Sequence, residues 1–224
     1  MRNQIALTSL CLLLGLTISA QNGSKWKIGV KAGVNYTEQW VSKLPKTPSF
    51  DLNEVYNQRT DWLLGLHTGL SSSLQLSEKF TLNADLLYNQ RGFKGDVVDT
   101  SLLEIKFTNR LHNISLPLYG NLQLLPKLGF EIGAEASYLV GLSGRYDGER
   151  VENLDKNNFS DLDFGLIGGL SYQFHQRFRI QGRYYWGKKD IYDVTFTDIN
   201  GEALDQQPKY INHGVQLSLT VFPF

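Results

Sequence analysis

The chain has 224 residues, and its 22 basic and 22 acidic side chains give a formal net charge of zero. Proteins that bind nucleic acid concentrate positive charge on one surface, so this balance argues against nucleic acid as a partner. The sequence has one cysteine, Cys11, so no intramolecular disulfide can form.

The N-terminus has the pattern of a secretory signal peptide. A short basic start precedes an almost wholly apolar run at 5–18 and the small residues Ser19 and Ala20. This run is shorter than the roughly 20 residues of a transmembrane helix, which argues against a retained anchor. We predict a signal peptide over 1–20, cut after Ala20, and one exported domain over 21–224 that contains no cysteine.

The first segment after the signal, 26–36, alternates strictly between two kinds of side chain. The parity that starts at Trp26 is apolar, and the parity that starts at Lys27 is small or polar. A period of two indicates a β-strand with one apolar and one polar face. Seven further segments repeat the alternation, at 62–76, 80–91, 113–122, 130–140, 162–174, 178–186 and 214–221.

Pro117 lies in the segment 113–122. Proline has no backbone N–H to donate to a neighbouring strand, so we expect a local bulge at this position.

The connections between these eight segments alternate between long and short. Tight turns are predicted at 77–79, 124–128 and 175–177, and polar loops at 37–61, 144–160 and 187–209. Residues 93–110 have mixed parity and are interpreted as a loop that allows strand extensions above the membrane. Long loops outside and short turns in the periplasm are typical of outer-membrane barrels. We therefore predict an all-β fold, an eight-stranded antiparallel up-and-down transmembrane β-barrel.

Aromatic side chains mark both ends of the apolar faces. On every second strand an aromatic residue near the start is followed, eight to ten positions later on the same face, by another. Eight residues rise about 20 Å along the membrane normal at a strand tilt of roughly 40°, close to the height of an apolar band. Core packing in a soluble sandwich would not require this regularity. The predicted aromatic girdles contain Trp26, Tyr36, Trp62, Phe80, Tyr88, Phe130, Tyr138, Phe174, Phe178 and Trp186.

The polar faces carry charges of both signs that nearly cancel. An eight-stranded barrel is only wide enough for its own side chains, and burying an unpaired ion costs several kcal/mol. The sequence therefore predicts a structural network of charges that pair across the lumen. A narrow ion or proton path through the same residues is the alternative. The network contains Lys27, Lys31, Asp85, Arg91, Glu131, Glu135, Asp163, Arg179 and Arg183.

No constellation of residues predicts catalysis or metal binding. Glu131 and Glu135 are four residues apart on one strand. This separation is about 13 Å, too far for a catalytic carboxylate pair. His67 faces inward near Ser71 and Ser73, which allows a Ser–His pair, but nothing in the sequence orients its imidazole. No histidines have metal-ligand spacing. We predict a protein that is not an enzyme and has no metal or cofactor.

Four segments resemble the PorT-like outer-membrane β-barrel family: WKIGVKAGVNY, HNISLPLYGNLQL, FEIGAEASYLVG and DFGLIGGLSYQF. The resemblance covers nearly the whole mature chain and is carried by glycines and apolar alternation. It implies a small eight-stranded barrel without a catalytic motif. It also implies a link to protein secretion across the outer membrane, which the best-known members have.

These features predict an integral outer-membrane protein of a Gram-negative bacterium. Its expected partners are outer-membrane lipid, envelope or secretion proteins, and the barrel-assembly machinery, which would read the terminal Phe224 despite the unusual Pro223 before it. The loops Thr37–Asp61 and Gly187–Lys209 are the candidates for protein or ligand contacts, because long loops on a rigid barrel carry recognition. A channel through the lumen and a lipid-modifying enzyme centred on His67 are the alternative functions.

Overall fold

The structure is a computed structural model that describes residues 25–41, 46–47, 50–51, 59–98, 104–152, 158–192, 195, 203 and 209–223. The predicted signal peptide, with its cleavage after Ala20, lies outside these residues, as does Phe224. Within the described residues, no helix is long and apolar enough to cross a membrane.

Eight long strands form the body of the molecule. They are β1 (Trp26–Val41), β2 (Arg59–Gln75), β3 (Phe80–Val98), β4 (Glu104–Gln123), β5 (Leu128–Tyr146), β6 (Leu162–His175), β7 (Phe178–Gly187) and β8 (Tyr210–Val221). Each strand runs antiparallel to the next, and β1 also pairs with β8, from Val30 opposite Val221 to Val41 opposite Tyr210. The sheet therefore closes on itself, which confirms the predicted eight-stranded antiparallel barrel.

The side chains of the barrel alternate between the outer surface and the interior, as the strand period requires. In β7, every second residue from Arg179 to Gly187 is buried, and the residues between them are exposed. The outward residues are mostly aliphatic or aromatic, and Leu66 and Ile132 are 58% and 63% exposed. A continuous apolar surface of this kind is unfavourable in water and is what a membrane-spanning barrel presents to lipid.

Three strands continue beyond the outer aromatic residues, and there the two faces exchange character. β3 and β4 stay paired up to Val98 opposite Glu104, and β5 turns back into a short strand, Glu149–Glu152. The turn at Asp147 and Gly148 has left-handed φ values of 49° and 86°, which suit a tight hairpin. In this part most buried inward side chains are apolar, such as Phe93, Leu111 and Leu142, with Asn109 as a polar exception. The outward side chains include Lys94, Arg110 and Arg145, as expected of a wall that faces water.

This change of solvent explains the mixed parity of the sequence. The strand extensions expected within 93–110 are present at 93–98 and 104–110. The polar loop predicted at 144–160 is wrong in its first part, because 144–152 is a hairpin. Of the two remaining loops, the one predicted at 37–61 is shorter than predicted, since β1 runs to Val41 and β2 begins at Arg59. The other, predicted at 187–209, has the predicted bounds, since β7 ends at Gly187 and β8 begins at Tyr210. A two-residue ladder joins Lys46–Thr47 to Phe50–Asp51 within the first of them.

The bulge predicted at Pro117 is also wrong. The register of β3 with β4 is the same on both sides of the proline, with Ala84 opposite Leu118 and Leu87 opposite Ser115. The ladder is interrupted between these pairs without a shift, so the missing donor is accommodated locally. Register shifts occur elsewhere, between Trp62 and His67, between His112 and Asn113, and between Phe178 and Arg179.

Candidate functional site

The polar faces of the eight strands meet in the centre of the barrel. Eight of the nine charged residues predicted for the lumen are buried there, each at most 8% exposed: Lys31, Asp85, Arg91, Glu131, Glu135, Asp163, Arg179 and Arg183. The ninth, Lys27, is half-buried near the periplasmic end. Within the part of the chain that the structure describes, no ion pair joins Lys27 to the others.

Four of these residues, Lys31, Asp85, Glu131 and Arg183, form a lower group. The Lys31 ammonium lies 2.5 Å from Asp85 Oδ2, and Arg183 Nε donates to Glu131 Oε2 at 2.7 Å. Arg183 Nη1 is also 3.4 Å from Asp85 Oδ2, so the two pairs are joined. Two positive charges meet two negative charges, which is the balance that burial at low dielectric demands.

Tyr119 of β4 holds the lower group together. Its ring centroid lies 3.7 Å from the Arg183 guanidinium carbon, a cation–π contact in a desolvated setting. Its hydroxyl accepts a hydrogen bond from Lys31 Nζ at 3.2 Å and donates to Asp85 Oδ1 at 3.4 Å. A neutral residue thereby contacts both ion pairs and fixes their relative position.

Three residues, Arg91, Glu135 and Asp163, form an upper group nearer the outer face. Arg91 donates to Glu135 Oε1, and its Nη1 lies 3.5 Å from Asp163 Oδ2. The Tyr185 ring centroid lies 3.6 Å from the guanidinium carbon, and Asn212 Nδ2 donates to Asp163 Oδ2 at 3.1 Å. One positive charge faces two carboxylates, so the upper group relies more on neutral donors than the lower group does.

His67 connects the interior of β8 to the upper group through neutral side chains. Its Nε2 is 2.7 Å from Ser218 Oγ, and its Nδ1 is 2.8 Å from Asn35 Oδ1. Asn35 Nδ2 then donates to Asn89 Oδ1 at 2.6 Å, and Asn89 Nδ2 donates to Glu135 Oε1 at 3.3 Å. Both ring nitrogens are satisfied, as buried polar groups require.

The serine partner of His67 is therefore not one of those near it in sequence. Ser71 and Ser73 bond to other side chains, and the hydroxyl at the imidazole belongs to Ser218. With Asn35 at the opposite nitrogen, the order of groups is that of a nucleophile, a base and an orienting residue. Neither Ser218 nor Asn35 was predicted to contact His67.

The triad of Ser218, His67 and Asn35 is too deeply buried to act on a substrate. His67 and Ser218 are only 2% and 5% exposed. The backbone of Gly33 packs against the imidazole so closely that a Cβ there would lie 2.7 Å from His67 Cε1. Neither a scissile carbonyl nor a lipid chain has room beside the hydroxyl, so these groups act as part of the lumen network.

Arg179 and Phe222 lie at the periplasmic end of the lumen, where Arg179 also lines a cavity of about 110 Å³. Arg179 Nη1 donates to Asn83 Oδ1 at 3.1 Å, and its guanidinium carbon lies 5.1 Å from the Phe222 ring centroid. Phe222 is fully buried because it continues the inward parity of β8 beyond Val221. The C-terminal segment thus supplies the floor of the barrel.

The outer end of the lumen is closed by an apolar cluster, here called the apolar cap. Phe159 and Tyr192, which form an isolated bridge between two loops, pack against it from outside. In the part of the chain that the structure describes, the cap lies above the two charged groups, and Arg179 and Phe222 lie below them. The buried members of the cap are Phe93, Leu111, Leu139, Leu142, Ile191 and Tyr210.

The aromatic residues predicted to form girdles all lie on the outer wall, exposed or half-buried. Tyr36 stacks on Trp62 with 4.9 Å between ring centroids, and Phe174 stacks on Phe178 at 5.7 Å. The Tyr88 hydroxyl is 2.6 Å from His112 Nδ1, which ties one girdle position to the next row outward. Their assignment to the two membrane interfaces stays a prediction.

Strand parity identified the charged residues but not their partners. The predicted site did not include the neutral side chains that contact these charges. Each of them occupies a buried inward position on its strand: Tyr119, Gln181, Tyr185 and Asn212. Pairing could not be found in this way, since Arg183 and Asp85, for example, are 98 residues apart. Among the described residues, no group of three or more His, Cys, Asp or Glu could hold a metal ion.

A closed eight-stranded barrel with an apolar outer wall and a polar interior defines an integral outer-membrane barrel protein. The sequence matches the family described as outer membrane protein beta-barrel domain over residues 19–193, and the chain belongs to this family. A comparison with curated proteins gave no match.

Solved structures of small barrels are similar to this one. Neisserial surface protein A (NspA) is 11% identical with a TM-score of 0.50, covering 87% of this chain and 96% of that chain. The attachment invasion locus protein Ail of Yersinia pestis is 12% identical with a TM-score of 0.42, covering 87% and 97%. OprG from Pseudomonas aeruginosa is 13% identical with a TM-score of 0.40, covering 88% and 93%. At these identities the likeness concerns the fold.

Removal of one charge from the lower group tests the network. We expect Lys31→Met to lower the free energy of unfolding by about 3–5 kcal/mol, because Asp85 is left partly uncompensated. The double change Lys31→Met/Asp85→Leu should recover most of that loss, since the remaining Arg183–Glu131 pair is neutral. Urea unfolding in lipid vesicles, followed by tryptophan fluorescence, measures the difference. Lys27→Met is the control and should cost less than about 1 kcal/mol; equal losses at Lys27 and Lys31 would contradict the network.

The inaccessibility of the Ser218–His67–Asn35 triad has a separate test. We expect no labelling of the folded barrel in membranes by a fluorophosphonate probe, because Ser218 cannot be reached. A known serine hydrolase in the same membranes is the positive control. Labelling that disappears in Ser218→Ala and in His67→Gln would show an accessible nucleophile and restore the enzyme hypothesis.

Proposed function

We propose that this protein is a non-enzymatic outer-membrane barrel whose extracellular rim contacts envelope or secretion proteins, or a ligand. The observation that carries the proposal is the filled lumen, with paired charges below and the apolar cap above. Among the described residues, both layers consist of side chains that are at most 8% exposed. The surfaces that remain are the outer wall, which faces lipid, and the rim.

The rim is built as a stiff platform. β3, β4, β5 and the strand Glu149–Glu152 extend past the outer aromatic residues as one continuous sheet, and the apolar cap packs on its inner face. Loops held on a rigid scaffold are frequent recognition sites. The loops 37–61 and 187–209, most of whose residues lie outside those described, connect β1 to β2 and β7 to β8 at the same end of the barrel, and they are the segments that we propose for contact.

The resemblance to PorT-like barrels supports a protein partner, because the best-known members of that group are linked to protein secretion. The family match reaches the broader group of outer-membrane barrel domains, so PorT-like membership is part of the proposal. Signal-peptide cleavage after Ala20 and recognition of Phe224 by the barrel-assembly machinery belong to the same proposal.

A narrow ion or proton path is a second candidate, favoured by one observation. Arg179, the lower group and the upper group follow one another along the lumen, so charged side chains line most of its length. The apolar cap disfavours this candidate, since it presents hydrocarbon to an ion that would have lost its hydration shell.

Conductance separates these two functions. Because the lumen is filled, we expect no steady current from the purified protein in planar bilayers, while a wide porin reconstituted in the same way conducts. Arg183→Gln and Glu135→Gln should leave this result unchanged. Stepwise currents in the unaltered protein that either substitution abolishes would replace the contact proposal with a channel.

Site-specific photocrosslinking in native membranes tests the rim directly. We expect benzoylphenylalanine at Val151, exposed on the hairpin of the rim, to form adducts with envelope proteins. The probe at Leu66, exposed on the outer wall of the spanning region, is the matched control and should contact lipid alone. The probe at Glu78 samples a periplasmic turn; adducts from Glu78 with none from Val151 would move the function to the periplasmic side.

A further inference from the structure

Three arginines are buried in the lumen, and Arg179 differs from the other two in the charge of its partners. Arg91 contacts two carboxylates of the upper group, and Arg183 contacts two carboxylates of the lower group. Arg179 is 8% exposed, and no carboxylate of the described residues forms an ion pair with it. A buried guanidinium without a counter-charge is unfavourable, so an added anion would stabilise this position.

The hydrogen bonds of Arg179 are weak and go to neutral acceptors. Its Nη1 donates to Asn83 Oδ1 at 3.1 Å and to Ser73 Oγ at 3.4 Å, and its Nη2 donates to Gln173 Oε1 at 3.4 Å. Two of these distances exceed the roughly 3.2 Å that is the usual upper limit for such bonds. A guanidinium has more N–H donors than these contacts use, so the group keeps capacity for a ligand.

A cavity of about 110 Å³ lies beside Arg179 at the periplasmic end of the lumen. Its wall combines the guanidinium with hydroxyl and amide side chains, among them Thr81, Ser171 and Gln173. Its opening includes the turn between β4 and β5, where Lys127 is exposed. A water molecule takes up about 30 Å³ in the liquid, so the cavity has room for a small anion of a few non-hydrogen atoms.

The charges around the cavity favour an anion. Lys127 belongs to its lining, and the half-buried Lys27 faces inward at the same end of the lumen. None of the described residues that line the cavity is acidic. In the lower group, Glu131 is paired with Arg183, and that group is neutral as a whole. It therefore has no spare negative charge for Arg179.

We propose that this cavity binds a carboxylate group that enters from the periplasm, with Arg179 as the cation that holds it. The planar guanidinium matches a carboxylate, which it can bind through two parallel hydrogen bonds. A carboxylate has one negative charge, which balances the single buried cation, and Thr81 and Ser171 add hydroxyl donors to the same cavity. The site is independent of the proposed function, because that function concerns the opposite end of the barrel.

Saturation-transfer NMR of the full chain in micelles of deuterated detergent, titrated with acetate, tests the site. We expect saturable binding to the unaltered protein, and binding at least about tenfold weaker to Arg179→Gln, because the cation is lost. Gln173→Glu should weaken binding as strongly, because it places a carboxylate of the chain beside Arg179 Nη2. This isosteric change keeps the test decisive if Arg179→Gln does not fold.

The matched control is Lys79→Gln, which removes an exposed charge from a turn at the same end of the barrel. It should bind acetate as the unaltered protein does, because Lys79 does not line the cavity. Heat-dependent migration on gels verifies that each variant is folded.

A peptide ligand distinguishes two sources of the carboxylate. N-acetyl-trialanine has a free C-terminal carboxylate, and binding at least about tenfold tighter than that of acetate would assign the cavity to the C-terminus of a peptide. Equal or weaker binding would assign it to a small free acid. The C-terminal amide of the same peptide should not bind.

Three results would overturn the site. The first is acetate binding that both Arg179→Gln and Gln173→Glu leave unchanged. The second is displacement of acetate by chloride or inorganic phosphate at the same concentration, or equal binding of the peptide amide, since none of these is a carboxylate. The third is the absence of acetate binding, which would indicate that Arg179 has another counter-charge, such as the C-terminal carboxylate of Phe224.

Discussion

A strand in hydrocarbon has no water to bond its backbone, and the rest of this structure depends on that constraint. Every N–H and C=O must find a partner within the protein, so a spanning sheet has to close. The seam between β1 and β8 achieves closure. Closure with eight strands then leaves an interior that side chains fill. Charged residues that enter such an interior must pair, and the lower group of Lys31, Asp85, Glu131 and Arg183 does so with full balance.

The same strands pass through two solvents, and the polarity of their faces follows the solvent rather than the strand. In the membrane, Leu66 and Ile132 point outwards and the charges point inwards. Above it, Phe93 and Leu111 point inwards into the apolar cap, and the outer wall carries arginines. This inversion covers the mouth of the barrel with apolar side chains and, on the other side of the same sheet, places cationic side chains on the outer wall.

The lumen also contains a group of residues that has the geometry of a catalytic site but is not accessible to a substrate. Ser218, His67 and Asn35 have the spacing of a catalytic triad, yet they are buried in a network that leaves no room for a substrate. Hydrogen-bond satisfaction alone accounts for their arrangement, because a buried imidazole needs a partner at each nitrogen. What the protein presents to its surroundings is therefore its wall and its rim.

The sequence by itself determined the strand count, the antiparallel order and the inward position of Lys31, Asp85 and the other lumen charges. The physical reason is that a period of two belongs to the strand backbone and is visible without any partner. Only the tertiary structure decided which charges meet, that Ser218 is the partner of His67, and that Pro117 needs no bulge. These outcomes depend on how far neighbouring strands are staggered when the sheet closes, and that stagger brings together residues as distant as Arg183 and Asp85. The exchange of polarity above the membrane was likewise hidden, because a sequence does not show where along a strand the solvent changes.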